Sequence, residues 1–497
     1  MNSTGTRSSL WVVCVACALL FNVPAWAQPA QPYLSPLFSD NMVLQRGMRD
    51  PVWGWTTPGA TVTVEMAGKR ATAVADPTGK WMVRIGPFSA GGPFTMTIEG
   101  PEHRTLQNVM VGDVWLCSGQ SNMQMGIANV NNAAEEIAHA DYPGIRLFTV
   151  PMEVAYSPRS TVNGTWQVCT PQTISHDGWG GFSAVAYFFG RYLHKTLNVP
   201  IGLIHSSWGG TIAEAWTSAE ALQKLPDFAE RLQQVERIRA AGESSLPANQ
   251  RRNPNVCTVL YNAMIAPLVP FGMKGVIWYQ GESNAGRAYQ YRTLLPTLIE
   301  DWRNRWGEGA FPFLIVQLAN FLPVKPEPGE DEWAELREAQ LFTAQKVPNC
   351  GLAVTIDIGD AADIHPKNKQ EVGRRLALAA LGIAYKRRIE YSGPIYKSYS
   401  REGSSIRIRF THVDGGLVAH GGALQGFAIA GPDRKFVWAQ ARIEGDTVVV
   451  WSPAVSDPVA VRYGWAINPV VNLYNREGLP ASPFRTDDWP GLTVNRK

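Results

Sequence analysis

A serine in the run Gly119-Gln120-Ser121-Asn122-Met123 stands directly after the apolar stretch 109–116. Such a stretch reads as a buried strand, so Ser121 falls at a strand's C-terminal end, where open α/β sheets carry their chemistry. A hydroxyl delivered there, just before a turn, can act as a nucleophile while its own N–H faces an oxyanion. The run is not the Gly-x-Ser-x-Gly elbow, because Met123 holds the last position. A lone Gly-x-Ser reads more readily as a turn than as a nucleophile. Three further polar turns, each close behind an apolar run, change that balance.

The second is Ser206-Ser207-Trp208-Gly209-Gly210-Thr211, after the run 201–205. Paired glycines admit close backbone approach and leave N–H groups facing outward, although alone they are an ordinary turn. The third is Trp278-Tyr279-Gln280-Gly281-Glu282-Ser283-Asn284, at the end of the run 275–279. Its amides can donate to an oxyanion and its carboxylate can orient an imidazole; the plainer reading is a polar turn that starts a helix. The fourth is Asp360-Ala361-Ala362-Asp363-Ile364-His365-Pro366, between the run 352–356 and a long amphipathic stretch whose first helical residue is expected at Pro366. Parallel strands put all four turns on one edge of a sheet. Hydroxyl, imidazole, carboxylate and oxyanion donors together are the set that acyl transfer requires. The chain lacks His-Glu-x-x-His, and its one Cys-x-x-Cys, Cys14 to Cys17, lies in the N-terminal leader, so no metal and no cofactor is called for.

The elements that must position these turns follow from the hydrophobic period. Residues 28–107 alternate with period two (Val62, Val64, Met66; Trp81, Val83, Ile85; Phe94, Met96, Ile98) between Gly/Pro turns, as a small antiparallel β-domain does. From 108 to 390 continuous apolar runs (109–117, 145–150, 201–205, 275–279, 313–318, 352–356) alternate with amphipathic stretches (184–197, 289–306, 333–345, 366–385). Strands apolar on both faces with helical crossovers imply a three-layer α/β domain around a parallel sheet. Alternation returns over 391–497 (Ile406, Ile408, Phe410; Val448, Val450; Val459, Val461), a second β-segment placed to pack with the first. The expected fold class is therefore α/β, with β-sandwich-like segments at both ends.

Residues 1–27 read as an export signal: Arg7, an apolar stretch over 10–21 too short to span a bilayer, and Ala25-Trp26-Ala27 before Gln28. The expected location is periplasmic or secreted, with no membrane association once the signal is removed. Its removal takes one arginine and lowers the formal net charge from +3 to +2, which gives no reason to expect nucleic acid. The remaining cysteines, Cys117, Cys169, Cys257 and Cys350, are expected as buried thiols with at most one bridge.

The four segments together resemble the SGNH (GDSL-like) hydrolases, and within them the carbohydrate O-acetylesterases that include sialate O-acetylesterase-like proteins. The likeness extends to Leu37-Phe38-Ser39-Asp40-Asn41-Met42-Val43-Leu44-Gln45-Arg46. It implies Ser121 as nucleophile, His365 as general base, and an oxyanion hole from the N–H of Ser121, the N–H of Gly209 (or Gly210) and one side-chain amide. The superfamily's Gly-x-Asn-Asp is replaced here by Gly281-Glu282-Ser283-Asn284, so Gln280 is the first choice for that amide and Asn284 the second. Its Asp-x-x-His is broken by Ala362; Asp363 is favoured as the acid, with Glu282 the rival. The implied substrate is an acetylated carbohydrate. Plant polysaccharide or oligosaccharide is favoured by tryptophans near the motifs, among which Trp208 and Trp278 are expected to face it. Sialate is the alternative and would call on Arg287 for its carboxylate. A non-catalytic sugar-binding protein is the alternative of another class, against which the joint presence of Ser121 and His365 speaks.

Overall fold

A single strand of 17 residues, His103–Gly119, carries the chain from its first segment into the sheet that bears Ser121. The computed structural model describes Met1, residues 31–176 and residues 178–497. The expected export signal over 1–27, Met1 apart, therefore falls outside the described residues.

The N-terminal half of His103–Gly119 pairs antiparallel with Gly91–Glu99 and parallel with Val43–Gln45. Gly91–Glu99 continues to Thr61–Met66 and Lys69–Val74, while Asp50–Trp55 and Lys80–Ile85 form a separate ribbon. The C-terminal half lies at the centre of the large sheet. Strand order there is Cys350–Ala353, Phe313–Val316, Gly275–Tyr279, His103–Gly119, Ile201–Ser207, Tyr142–Thr149 and Gln167–Cys169. All neighbours are parallel except the last, which runs antiparallel as an edge. The division expected at 107/108 thus falls inside one strand. Val62, Trp81 and Ile98 belong to the same apolar core as Trp115, Ile204 and Ile277.

Register fixes the two faces. Gly275 lies opposite Trp115 and Trp278 opposite Ser118, so the rings of Trp115 and Trp278 point to opposite sides of the sheet. Trp115 meets Phe189 of the helix Ala184–Leu197, against which Lys369–Ile383 packs through Gly373 and Phe188. Trp278 meets Trp302 of the helix Ala288–Trp306, which packs with Glu332–Lys346. Helices on both faces make the three layers. Ser183 caps Ala184–Leu197 and also donates to the carbonyl of Met123 at 2.6 Å, which ties that helix start to the serine turn. The last long helix begins at Lys369 rather than Pro366, because Asn368 accepts from the Glu371 N–H and Pro366 stays buried in the preceding loop.

The C-terminal segment folds as two four-stranded sheets and a two-stranded pair around its own core of Ile406, Ile408, Phe427, Ile429, Val448, Val450 and Val461. It docks on the central domain and shares no sheet with the N-terminal segment. Arg337, fully buried, donates to the carbonyls of Ala466 and Ile467, and Arg462 and Arg485 pair with Glu330 and Glu338. Cys117, Cys169, Cys257 and Cys350 are all free thiols.

Candidate active site

Gly119 closes its strand at φ 138°, and a Cβ there would lie 2.1 Å from the Tyr279 carbonyl oxygen. Only glycine fits that approach, and it lets the chain turn at once into the short helix Ser121–Gln124. Gln120 N–H donates to Tyr279 O, and its side-chain oxygen faces the N–H groups of Gly281 and Ser283. The serine turn is thereby fastened to the end of the Gly275–Tyr279 strand. Ser121 opens the helix, so its N–H has no intrahelical acceptor. Its hydroxyl has no hydrogen-bond partner among the described residues.

Gly209 arrives from the other neighbouring strand. Trp208 N–H donates to Gly119 O, and a methyl added at Gly209 would lie 3.1 Å from Ser121 Cβ. Gly209 N–H is taken by the side-chain oxygen of Gln124 at 2.7 Å.

His365 stands on the loop after the Cys350–Ala353 strand, about three-quarters buried, with its ring edge-on to Trp179 at 4.8 Å. Asp363 Oδ1 accepts from the His365 backbone N–H at 2.8 Å and lies 3.4 Å from its Nδ1. Burial holds the imidazole below its ordinary pKa; Asp363 opposes that shift and the nearby Lys369 adds to it. Glu282 is not on the ring. Its Oε1 accepts from Asn122 Nδ2 at 2.7 Å, and its Oε2 is buried with no partner among the described residues. Burial raises its carboxyl, partly offset by that hydrogen bond.

Asn122, next to the serine, connects three segments: Nδ2 also donates to Ile364 O at 3.0 Å, and Oδ1 accepts from Lys369 Nζ at 2.6 Å. Lys369 is fully buried with its ammonium 5.4 Å from the Tyr279 ring centroid, and burial brings its pKa down to about 7 against the pull of Glu282 and Asp363. Asn122 lies inside the serine motif but had no assigned role. Gln124, Trp179 and Lys369 carried no local signal, since each acts across the fold.

Other expected site residues are placed elsewhere. Gln280 Nε2 donates to Thr211 O at 3.0 Å and to Asn284 Oδ1 at 2.7 Å, which uses both its hydrogens. Asn284 Nδ2 donates to buried Glu214. These two amides fasten the segment after Gly209, and Gln280 has no hydrogen left for Ser121. Trp278 is fully buried against Trp216, Trp302 and Phe313 and reaches no substrate, while Trp208 is half-buried. Arg287 pairs with Glu214 at 2.7 Å, because a buried carboxylate needs its cations more than the surface does. A Ser–His contact away from Ser121, His205 Nε2 to Ser207 Oγ at 2.6 Å, is buried on its strand beside Phe182, with the imidazole pushed down to about 4 by burial. Among the described residues no group of three or more His, Cys, Asp or Glu is placed to hold a metal ion.

The family model described as a carbohydrate esterase, sialic acid-specific acetylesterase, matches residues 111–382. The sialate O-acetylesterase of Mus musculus is 36% identical over 503 residues, covering 90% of this chain and 93% of its own. That of Homo sapiens is 33% identical over 519 residues, covering 92% and 93%. The crystal structure of a carbohydrate acetylesterase from Xanthomonas citri superposes with a TM-score of 0.82 at 42% identity, covering 92% of this chain and 100% of that one. The chain accordingly belongs to the carbohydrate esterases of the sialic acid-specific acetylesterase family, hydrolases that act on ester bonds.

Proposed function

We propose that the protein removes O-acetyl groups from carbohydrates through an acetyl-enzyme formed on Ser121, with His365 as general base and Asp363 as its acid partner. The observation that carries this reading is the meeting of Ser121, Gly209 and the Asn122-tethered His365 loop at one edge of the sheet. His365 takes the Ser121 proton as the hydroxyl attacks the acetyl carbonyl. The N–H groups of Ser121 and Gly209 face the oxygen that gains charge. His365 then protonates the leaving sugar oxygen, and water, activated by the same imidazole, releases acetate. Catalytic hydrogen bonds are commonly longer in a free enzyme than in its substrate complex, which accords with the unpartnered Ser121 hydroxyl.

For the sugar we favour an acetylated neutral polysaccharide or oligosaccharide. The half-exposed indole of Trp179 offers a stacking face beside His365, and Arg287, the cation foreseen for a sialate, is committed to Glu214. Sialate is the second reading, carried by the likeness to curated sialate O-acetylesterases over nine-tenths of the chain. Export is part of the proposal, supported by Arg7, the apolar stretch and the small-residue cleavage site before Gln28. Acetate release from acetylated xylan, acetylated xyloglucan fragments and O-acetylated sialic acid tests the choice. Faster turnover of the sialate overturns the neutral-glycan reading, and N-terminal sequencing of the secreted chain tests cleavage after Ala27.

A further inference from the structure

We propose that Gln124 is the side-chain donor of the oxyanion hole, held in the resting enzyme with its amide reversed. The inference rests on the serine-esterase reading above. Two backbone N–H groups face the reacting oxygen, and acyl-transfer sites commonly add a side-chain donor to such a pair. Gln280, the first residue expected to supply it, spends both its N–H hydrogens on Thr211 and Asn284, and the Asn284 amide is held by Glu214. Gln124 is three residues past the nucleophile on the same short helix. Its Oε1 accepts from Gly209 N–H at 2.7 Å. A methyl added at Gly209 would lie 3.1 Å from that oxygen and 3.1 Å from Ser121 Cβ, so the amide oxygen and the serine flank the same side of Gly209. The amide oxygen thus stands in the place an acetyl oxygen must take to reach Gly209.

The other end of the amide is weakly held. Among the described residues Nε2 has only the thioether of Met152, at 3.4 Å, and sulfur is a poor acceptor. When an acetyl carbonyl takes over the Gly209 N–H, Oε1 loses its donor and no strong contact among the described residues holds the amide in its resting sense. A half-turn then presents Nε2–H to the same oxygen. As the Ser121 Oγ–carbon bond forms, the carbonyl π pair moves onto oxygen and the serine proton goes to His365. Gln124 donates a hydrogen bond and transfers no proton.

The test uses the full chain, p-nitrophenyl acetate and an acetylated oligosaccharide, with Gln124→Met to keep volume and remove the donor, and Gln124→Glu to leave an acceptor only. The expected result for Gln124→Met is a fall in kcat of about 10²–10³-fold with KM little changed and an unaltered melting temperature. Gln124→Glu should fall further at neutral pH, since a carboxylate would face the forming oxyanion. Phosphorylation of Ser121 by diethyl p-nitrophenyl phosphate should slow in parallel, because the phosphoryl oxygen uses the same donors. A Gln124→Met enzyme as fast as wild type or faster would show that the side chain merely blocks the hole. A loss confined to KM or to melting temperature would likewise overturn the assignment. An inert wild-type chain, or a Ser121→Ala variant that keeps its activity, removes the serine reading and this inference with it. An active wild type matched by Gln124→Met removes this inference alone.

Discussion

Replacing Asp363 by asparagine separates the two carboxylates near the site more sharply than any other single change. The introduced amide would keep an oxygen for the His365 backbone N–H, now held at 2.8 Å, so the loop should persist. What is lost is the charge 3.4 Å from Nδ1, which on the proposed mechanism would stabilise the imidazolium formed as Ser121 attacks. Coulomb energies at about 4 Å run from about 1 kcal/mol in bulk water to about 4 kcal/mol near a protein surface. Asp363 is half-exposed, with 48% of its side chain accessible, so its contribution should fall near 2 kcal/mol, or about 30-fold in kcat. The pH profile carries a second signature. Burial already lowers the His365 pKa, and Asp363 is the group that raises it. A base works when neutral, so removing Asp363 should move the acid limb of kcat/KM to lower pH. Because Asp363 is half-exposed, high salt should narrow the gap between wild type and variant. Glu282→Gln should behave oppositely: kcat within a few-fold, but a lower melting temperature, since Asn122 and Lys369 are arranged around that buried carboxylate. Stopped-flow acetate release across pH 4–9 in both variants decides the matter (about five pH units suffice to bracket an imidazole). If Glu282→Gln loses kcat and shifts the acid limb while Asp363→Asn resembles wild type, the assignment of the acid is wrong.

Ser121→Ala should melt like wild type and lose nearly all ester hydrolysis, as assays with p-nitrophenyl acetate and calorimetry would show. Gly119→Ala should cost about 3 kcal/mol or more in chemical denaturation, because a Cβ there meets the Tyr279 carbonyl oxygen at 2.1 Å and φ is 138°. Trp179→Ala should raise KM for an acetylated oligosaccharide about fivefold, the worth of roughly 1 kcal/mol of ring stacking, with much less effect on p-nitrophenyl acetate. Equal KM values for both substrates would place the sugar elsewhere.

The sheet was legible because strands buried on both faces write continuous apolar runs, and the run 275–279 coincides with the strand Gly275–Tyr279. The helix Ala184–Leu197 matches its amphipathic stretch for the same reason, with Ser183 as cap. Boundaries set by local competition were less so: Asn368 outbids Pro366 as a helix start through a side-chain bond that periodicity does not register. The strand His103–Gly119 hid the junction at 107/108, since its two halves change partners without a turn. In the site, residue types and turn positions were visible, but side-chain direction was not. Trp278 sits next to the reactive turn in sequence, yet strand register aims its ring into the layer occupied by Trp302. Arg287 could not be known to serve Glu214, nor Lys369 to reach Asn122 across 247 positions, because only the folded chain brings them together.

Asn122 explains why a buried lysine and a buried glutamate are tolerated within the walls of this site. Two opposite charges taken out of water are costly unless each is hydrogen-bonded, and direct contact is not the only arrangement that serves. Here one neutral amide stands between them, its oxygen toward Lys369 and its nitrogen toward Glu282, so its dipole is aligned by both. The same nitrogen holds the carbonyl oxygen of Ile364, the residue before His365. Serine turn, glutamate turn and histidine loop are therefore fixed by a single side chain whose orientation the two charges determine. His365 needs that support, because its own partners, Trp179 and Asp363, are half-exposed. Without Lys369 and Glu282 the Asn122 amide would be oriented by Ile364 O alone, and a turned amide would present its oxygen to that carbonyl. The buried charges thus bear on orientation more than on stability, and the residue they orient stands next to Ser121.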